Sequence, residues 1–365
     1  MPPAEGDSAQ DVKKAGFFQR LVRYAVGGDS DTSATDAMKM KWVVLGGPHY
    51  STDSKLGLAL SGMLTFRLKG CEPTEQASNF NIWGDVSTAG FWSVGINGSI
   101  IFPRDKRRIN AEVRYSYSPI KFWGMGYDMA NSDANEGKLD QQELRFLADY
   151  VVKVAPHFYV GPVAAINYIR CSKITRPELL EGQDMKLQNY GLGFSLHYDT
   201  RDRMNNATRG CYLGFKQIFR PRFLGNDYAF TSTMFTARAY HSPWKGAIVA
   251  GEIQGTFNFG NPSWAMMAQL GSNSSMRGYY NGRYRDKHTM TAQVELRQNV
   301  WRRSGLAVWA GVGNVFHDAF TFGNLLPNYG IGYRFRLRDT VVLRLDYGFG
   351  KKGQNGFVMA VNEAF

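Results

Sequence analysis

The chain has 365 residues, 44% of them hydrophobic and 14% aromatic, with 40 glycines, 13 prolines and a formal net charge of +12. No apolar run approaches the roughly 18 residues that a transmembrane helix requires, so a helical membrane protein is excluded. The basic residues are distributed along the chain instead of forming one run or helical face. This distribution argues against nucleic-acid binding and suits anionic lipid headgroups or lipopolysaccharide phosphates.

The first predicted segment, residues 1–39, is polar except for a group of apolar side chains at helical spacing, namely Phe17, Phe18, Leu21, Val22, Tyr24 and Ala25. This spacing predicts a short amphipathic helix in an N-terminal periplasmic arm, although a partly ordered arm fits the same residues. The opening Met1-Pro2-Pro3 leads into a polar, acidic stretch without the apolar region of a signal peptide. We therefore expect two regions, an arm over 1–39 and one folded domain over 40–365.

From residue 40 onward, apolar residues recur at every second position, which is the period of a β-strand. The pattern predicts sixteen strands, and an even number is typical of bacterial single-chain membrane barrels. Their expected bounds are 40–49, 55–68, 77–87, 90–102, 108–118, 139–154, 157–170, 186–199, 208–220, 227–241, 246–258, 288–301, 305–316, 328–337, 340–349 and 356–365. The connections on one side are long and those on the other are short, which is the asymmetry of an outer-membrane barrel.

The strand predicted near residues 109–117 shows the alternation plainly. Val113 and Tyr115 share one phase, while Glu112 and Arg114 share the other. A soluble sandwich would turn the charged face to water and a membrane barrel would turn it to the lumen, so alternation alone does not separate them. The asymmetric connections favour the barrel, and closure also removes two exposed sheet edges. We predict an all-β fold, a closed 16-stranded antiparallel transmembrane β-barrel in the bacterial outer membrane.

Charged residues recur at the inward phase of these strands. Opposite signs fall on neighbouring strands, which favours a cross-strand lattice of salt bridges over the lining of a conducting pore. The residues concerned are Glu112, Arg114, Glu143, Arg145, Asp149, Arg334, Arg336 and Arg344.

Catalytic and metal chemistry is not predicted. Ser195, His197 and Asp199 share one face of the eighth strand, but side chains at i and i+2 lie roughly 6.5–7 Å apart, too far for a nucleophile and its base. The six histidines are scattered without metal-ligand spacing, and no cofactor is expected. The three cysteines are expected to be free thiols, because the strand order places them too far apart for a disulfide.

Four short stretches resemble motifs of the BamA/TamA outer-membrane superfamily. The run Leu270–Tyr279, which ends in Met276-Arg277-Gly278-Tyr279, resembles the sixth-loop motif and lies between the eleventh and twelfth predicted strands, where that superfamily places it. The other three resemble the turn after the eighth strand, the penultimate strand and the C-terminal assembly signal, and they are residues 198–202, 344–348 and 356–365. Their order agrees with the family over residues 40–365, so the chain is identified as a member.

The resemblance implies that the sixth-loop motif folds back into the lumen. A buried guanidinium needs carboxylate partners there, because an unpaired charge is costly to bury. By strand phase, Glu295 and Asp346 face inward and are the expected partners of Arg277. An alternative is that Arg277 only tethers the loop and stabilises the fold. One further inward carboxylate of the family is absent, because Gly311 occupies its position.

The resemblance also implies a seam between the first and last strands that pairs weakly and opens laterally, with Phe357, Met359, Val361 and Phe365 at the seam and C-terminal signal. The implied function is the insertion or translocation of proteins, or of lipid-anchored partners, without enzymatic activity. Only 39 residues precede the barrel, too few for one of the family's periplasmic POTRA repeats. A separate periplasmic or lipoprotein partner is therefore expected to deliver polypeptide cargo. The alternative is a passive pore or a structural subunit of an outer-membrane complex, and a homodimer is left open.

Overall fold

The computed structural model describes residues 40–72, 75–203, 206–338 and 341–365. The arm and amphipathic helix predicted over 1–39 lie outside these residues. The described chain consists mainly of β-strands, with one short α-helix, Tyr127–Ala130, in a connection. None of the helices in this part of the chain has the length and apolarity needed to cross a membrane.

Sixteen strands form a closed antiparallel barrel in which neighbours along the chain are neighbours in the sheet. The strands of the described chain are β1 (Lys41–Ser51), β2 (Lys55–Phe66), β3 (Ser78–Ser87), β4 (Trp92–Ile101), β5 (Arg107–Phe122), β6 (Gly137–Ala155), β7 (Phe158–Ser172), β8 (Lys186–Asp199), β9 (Gly210–Arg220), β10 (Phe230–His241), β11 (Ala247–Gly260), β12 (Ala268–Gln269), β13 (Arg285–Asp286), β14 (His288–Trp301), β15 (Ser304–Phe316), β16 (Leu326–Arg338), β17 (Val341–Phe349) and β18 (Asn355–Val361). The short strands β12 and β13 form a separate sheet in the connection between β11 and β14. The predicted closed 16-stranded barrel is confirmed.

Strands β5 and β6 show why the sequence forms a barrel. Their register places Val113 opposite Phe146 and Arg114 opposite Arg145. Val113 is 41% exposed on the outer surface, whereas Arg114 shares the opposite, inner face and forms an ion pair of 3.3 Å with Glu143. The apolar phase therefore faces the hydrocarbon and the polar phase faces the lumen, as a membrane barrel requires.

The long connections on the outer side pack over the mouth of the barrel. Apolar side chains from two of them join strand ends in one cluster around Trp264, which is fully buried. The Phe122 ring lies 5.3 Å from the Trp264 ring between centroids, and Leu179 and Leu180 pack from the connection between β7 and β8. This cluster holds the start of the connection between β11 and β14, which carries the candidate site.

The last strand is shorter than predicted. The alternation predicts a strand over 356–365, but β18 ends at Val361, and Asn362 adopts a φ of +68°. The chain then turns into the barrel, where Phe365 is buried in an apolar cluster and its backbone oxygen accepts a hydrogen bond of 3.0 Å from Arg297. Burial of the ring and this hydrogen bond favour the turn over a continued strand. Phe365 therefore lies inside the barrel and away from the lipid-facing side of the seam.

The ladder that closes the barrel is short. β1 pairs with β2 along its whole length. Within the described residues, its ladder with β18 consists of Tyr50 opposite Met359 and Ser51 opposite Val358. Both pairs lie at the outer end of β1, and among the described residues no further ladder pair joins the periplasmic part of β1 to β18.

Candidate functional site in the barrel lumen

The connection between β11 and β14 enters the lumen and carries the motif Met276-Arg277-Gly278-Tyr279. Its backbone passes against β17. Gly278 has a φ of +107°, and a Cβ atom there would lie 2.7 Å from the carbonyl carbon of Gly348. A Cβ atom at Gly348 would in turn clash with the carbonyl oxygen of Arg277. The two glycines therefore allow a close approach of backbones that other residues would prevent.

The Arg277 side chain is fully buried and joins the loop to three strands. Its guanidinium donates to Oε2 of Glu295 on β14 and to Oδ2 of Asp346 on β17, each at 2.6 Å. The guanidinium carbon also lies 3.6 Å from the centroid of the Trp309 ring on β15. Charge-assisted hydrogen bonds and desolvated cation–π contacts are both strong interactions, so this side chain fixes the position of the loop.

Three further arginines surround the same two carboxylates. Arg297 Nε lies 2.7 Å from Glu295 Oε1, and Arg344 Nη1 lies 2.8 Å from Asp346 Oδ2. Arg334 bridges the two carboxylates, because its Nη2 lies 3.2 Å from Glu295 Oε1 and its Nη1 contacts Asp346 Oδ1. Each carboxylate thus has three arginine partners, so neither is buried as an unpaired charge.

The residues after β18 join this group of charges. Glu363 Oε2 accepts a hydrogen bond of 2.7 Å from Arg334 Nε and lies 3.5 Å from Arg297 Nε. We call the whole group the lumen network, and its members are Arg277, Arg297, Arg334, Arg344, Glu295, Asp346 and Glu363. Four arginines and three carboxylates give it a formal excess of one positive charge. The lumen network connects the loop motif to the end of the last strand.

The other motif residues hold the loop by packing and by hydrogen bonds to backbone. Met276 is buried in an apolar cluster that includes Tyr279. Tyr279 Oη donates to the Pro327 carbonyl oxygen at 2.6 Å and accepts from the Lys351 backbone N–H at 2.8 Å. The Asn328 side chain donates to the carbonyl oxygen of the motif arginine. The loop therefore contacts the ends of both β16 and β17.

Trp309 is a site residue that sequence reasoning does not identify. Gly311 stands where a further carboxylate is expected, and Trp309, two residues earlier on the same face, covers the guanidinium instead. Its Nε1 donates to Asn328 Oδ1 at 3.1 Å, which fixes the ring. Strand phase indicates that Trp309 faces inward, but its pairing with Arg277 depends on where the loop lies. Glu363 is missed for a different reason, because the last strand is expected to continue past it.

The three residues considered as a triad are not hydrogen-bonded to one another in the described part of the chain. Each of them has a different partner. His197 Nδ1 lies 3.0 Å from Tyr212 Oη, Asp199 forms an ion pair of 2.8 Å with Arg201, and the Ser195 hydroxyl contacts the Gly161 carbonyl oxygen. Among the described residues, no group of three His, Cys, Asp or Glu side chains is placed to hold a metal ion. The three cysteines are free thiols, as predicted.

Elsewhere in the lumen, opposite charges pair between strands. Arg238 Nε on β10 lies 2.6 Å from Glu252 Oε2 on the neighbouring β11, which agrees with the predicted cross-strand lattice. Lys216 Nζ on β9 lies 2.8 Å from Asp149 Oδ2 on β6, three strands away in the sheet. The lumen is therefore crossed by ion pairs as well as by the loop motif.

A family model for the Omp85 superfamily domain matches residues 70–365. The chain belongs to this superfamily and is an integral β-barrel of the outer membrane. The resemblance drawn from the four sequence motifs is thereby confirmed. A comparison with curated proteins found no matching sequence.

Among solved structures, the fold is similar to that of BamA from Haemophilus ducreyi lacking POTRA domains 1-3, with a TM-score of 0.60 and 11% identity, covering 89% of this chain and 70% of that one. It is also similar to CdiB from Acinetobacter baumannii (TM-score 0.56, 10% identity, 89% and 60% covered) and to CdiB from Escherichia coli (TM-score 0.57, 13% identity, 88% and 63% covered). The chain thus spans less than two thirds of either CdiB chain. At such low identity, these similarities show the fold alone.

Proposed function

We propose that this chain assists the insertion or translocation of proteins, or of lipid-anchored partners, through the seam between β1 and β18. In this proposal it acts without enzymatic chemistry, and a separate periplasmic or lipoprotein partner delivers polypeptide cargo. Membership of the Omp85 superfamily supports insertion or secretion of proteins at the outer membrane in general. The observation that carries the proposal is the short ladder between β1 and β18.

Few interactions hold the seam, and they lie at its outer end. Beside the two ladder pairs, the Thr52 N–H donates to the Phe357 carbonyl oxygen at 3.2 Å, and the Phe357 N–H donates to Thr52 Oγ1 at 2.9 Å. The Tyr50 and Phe357 rings lie 5.7 Å apart. Because a hydrogen bond contributes about 0.5–1.5 kcal/mol, opening this end costs on the order of a few kcal/mol.

The periplasmic part of β1, from Trp42 to His49, presents an edge that has no ladder partner on the β18 side among the described residues. Unpaired backbone N–H and C=O groups cost several kcal/mol each in hydrocarbon, so such an edge favours pairing with another strand. Addition of an incoming strand to an exposed edge is an established mode of polypeptide recognition. The seam therefore offers a binding edge that faces the lipid.

A passive pore or structural subunit is the rival function. The loop motif and the residues after β18 both lie in the lumen, and the lumen network joins them. These contents disfavour a wide conducting path. They do not distinguish an assembly factor from a structural subunit, so the seam has to be tested.

The test is a disulfide across the seam, in a background in which Cys71, Cys171 and Cys211 are alanine. The variant Tyr50→Cys/Met359→Cys places thiols on opposed residues of the seam ladder. Opposed residues in an antiparallel ladder have Cα atoms about 4.5–5.5 Å apart, which suits a disulfide.

The matched control is Ala111→Cys/Ala148→Cys, which joins opposed alanines of β5 and β6, where the ladder extends along the strands. Each protein is placed in liposomes, and the folding rate of an unfolded test barrel is measured under oxidising and reducing conditions. We expect acceleration that the seam disulfide abolishes and reductant restores, with no loss in the control. Acceleration that persists in the locked protein would overturn the seam proposal. Steady ionic conductance without acceleration would favour a pore.

A further inference from the structure

The periplasmic end of the lumen contains a cavity of about 650 Å³. We call it the basic vestibule and define it by the lining residues Arg209, Trp244, Lys245, Ile248 and Arg336. The first three lie in or beside the turns that join β8 to β9 and β10 to β11, while Arg336 comes from β16, three strands from β11 in the sheet. A volume of this size is typical of ligand pockets.

The vestibule has an uncompensated positive charge. Arg209, Lys245 and Arg336 form no ion pair in the described part of the chain. Asp202 is the one acid among the described lining residues, and its carboxylate already accepts hydrogen bonds of 2.9 and 2.7 Å from Thr208 and 3.2 Å from the Arg209 N–H. Although burial opposes the shift, these hydrogen bonds lower the pKa of the Asp202 carboxyl. Asp202 therefore stays ionised and offsets one of the three cations, so the described lining keeps a formal excess of two positive charges that an external anion can meet.

Two strand residues that line the vestibule, Ile248 and Arg336, have the inward phase of their strands. Ile248 lies on the same face of β11 as Glu252, which is buried and pairs with Arg238 in the lumen. Arg336 shares the face of β16 that carries Arg334, a member of the lumen network. Lipid headgroups at the membrane surface would meet the outer face of the rim, so a ligand that enters from the periplasm fits this position better.

A second, smaller cavity of about 60 Å³ continues from the vestibule toward the lumen network and shares Ile248 and Arg336 with it. Arg297 and Glu363 line this inner cavity. Arg297 Nη1 is buried and has no hydrogen-bond partner within the described residues. An unpartnered buried donor of a charged group is costly, so a carboxylate placed here would be stabilised.

We propose that the basic vestibule is a docking site for an extended acidic peptide segment of a periplasmic partner protein. The cations would attract its carboxylates, and Trp244, which is 56% exposed, would provide an aromatic contact surface. Tryptophan and arginine are the residues that contribute most often to binding energy at protein interfaces. This inference rests on the proposed function, because it names the chemistry of the partner that delivers cargo.

The experiment measures binding of a short, dye-labelled peptide of alternating glutamate and serine to the full chain in phosphatidylcholine nanodiscs. The test variant is Arg209→Glu/Lys245→Glu/Arg336→Glu, and Lys245→Glu alone serves as a milder variant on an exposed turn. A peptide of alternating lysine and serine is the charge control, and circular dichroism checks folding.

The matched control variant is Arg104→Glu/Lys106→Glu/Arg107→Glu, which reverses three exposed charges on the same rim, outside the vestibule. We expect the acidic peptide to bind, the vestibule variant to weaken binding by at least about tenfold, and the control to change it by less than about twofold. Equal losses in the two triple variants, or no binding to the unaltered chain, would overturn the proposal. Displacement of the peptide by phosphatidylglycerol nanodiscs would also overturn it and assign the cations to lipid.

Binding and folding assistance are measured separately, so their failures can be told apart. Absence of peptide binding to the unaltered chain, while that chain still accelerates folding of a test barrel, would reject the vestibule and leave the seam function standing. Peptide binding by a chain without such acceleration would reject the seam function instead. If Lys245→Glu binds the acidic peptide as tightly as the unaltered chain does, Lys245 does not contribute to peptide binding.

Discussion

Replacing Arg277 by alanine tests the lumen network most directly. The change removes two charge-assisted hydrogen bonds of 2.6 Å, to Glu295 and Asp346, and the cation–π contact of 3.6 Å with Trp309. Hydrogen bonds to charged groups contribute about 1.5–3 kcal/mol each, and a desolvated cation–π contact contributes about 2 kcal/mol. The gross loss is therefore about 5–8 kcal/mol.

Two effects offset part of this loss. The variant no longer has to desolvate a guanidinium, which costs several kcal/mol. Both carboxylates also keep other partners, because Arg334 contacts each of them, while Arg297 and Arg344 contact one each. We expect a net loss of about 3 kcal/mol in the free energy of loop docking, which is about a hundredfold in the docking equilibrium.

Hydrogen exchange at loop amides measures this docking equilibrium. In the docked loop, the Tyr279 N–H donates to the Met276 carbonyl oxygen at 3.2 Å, and the Gly282 N–H donates to the Leu270 carbonyl oxygen at 3.1 Å. We expect about hundredfold faster exchange at both amides in the alanine variant, with strands far from the loop unchanged. The exchange rate of Arg277→Lys should lie between those of the unaltered chain and of Arg277→Ala. A compact ammonium keeps the charge but does not reproduce the geometry by which the guanidinium contacts both carboxylates.

The matched control is Arg176→Ala, which breaks an ion pair of 2.8 Å with the exposed Glu178 and a hydrogen bond of 2.7 Å to the Ala134 carbonyl oxygen, both in other outer connections. Exposed pairs contribute little, so loop exchange should not change in this variant. An increase below about threefold in Arg277→Ala would refute the reasoning. The loop would then be held by the packing of Met276 and Tyr279 and not by the lumen network.

Three further changes probe the same site. Gly348→Ala should undock the loop, because its Cβ would clash with the Arg277 carbonyl oxygen, whereas a Cβ at Gly251 on β11, the control, meets no atom within 4 Å. Equal hydrogen-exchange rates at the loop amides of Gly348→Ala and Gly251→Ala would contradict the close approach of the two backbones. Trp309→Leu keeps the carboxylates paired but removes the aromatic face, so we expect about tenfold faster hydrogen exchange at the loop amides. An exchange rate equal to that of the unaltered chain would argue against a contribution from the cation–π contact. Glu363→Gln raises the formal charge of the lumen network by one and should speed hydrogen exchange at the amides after β18. An unchanged rate at these amides would show that apolar packing alone holds the residues after β18.

Strand phase predicts much of this site, because a period of two fixes the face that each side chain takes. Glu295 and Asp346 lie at the polar phase of β14 and β17, and both face the lumen in the structure. Closure of the barrel then brings the inward faces of distant strands together. Glu295 and Asp346, which are 51 positions apart along the chain, thus both pair with Arg334. No local sequence pattern indicates that the two carboxylates lie close together.

The path of the loop and the end of the chain depend on interactions that no local pattern contains. Phase places Trp309 on the inner face, but only the docked position of Arg277 makes it a cation–π partner. Alternation runs through Phe365, so the sequence predicts a strand to that residue. The turn at Asn362 is favoured by the distant Arg297 and by an apolar cluster from other strands, which are contacts that the sequence period does not report.

The lumen network and the seam share Glu363, and this shared residue couples them. Extending β18 beside β1 requires Asn362 to leave its φ of +68° and Glu363 to leave Arg334. That step would raise the formal excess charge of the network from one to two, which is unfavourable unless another anion takes the position. Arg297 and Arg334 line the inner cavity that adjoins the basic vestibule, so an entering acidic segment could supply the missing charge. The glutamate–serine peptide should therefore speed exchange in the residues after β18, and bound peptide without that effect would show that the vestibule and the seam act independently.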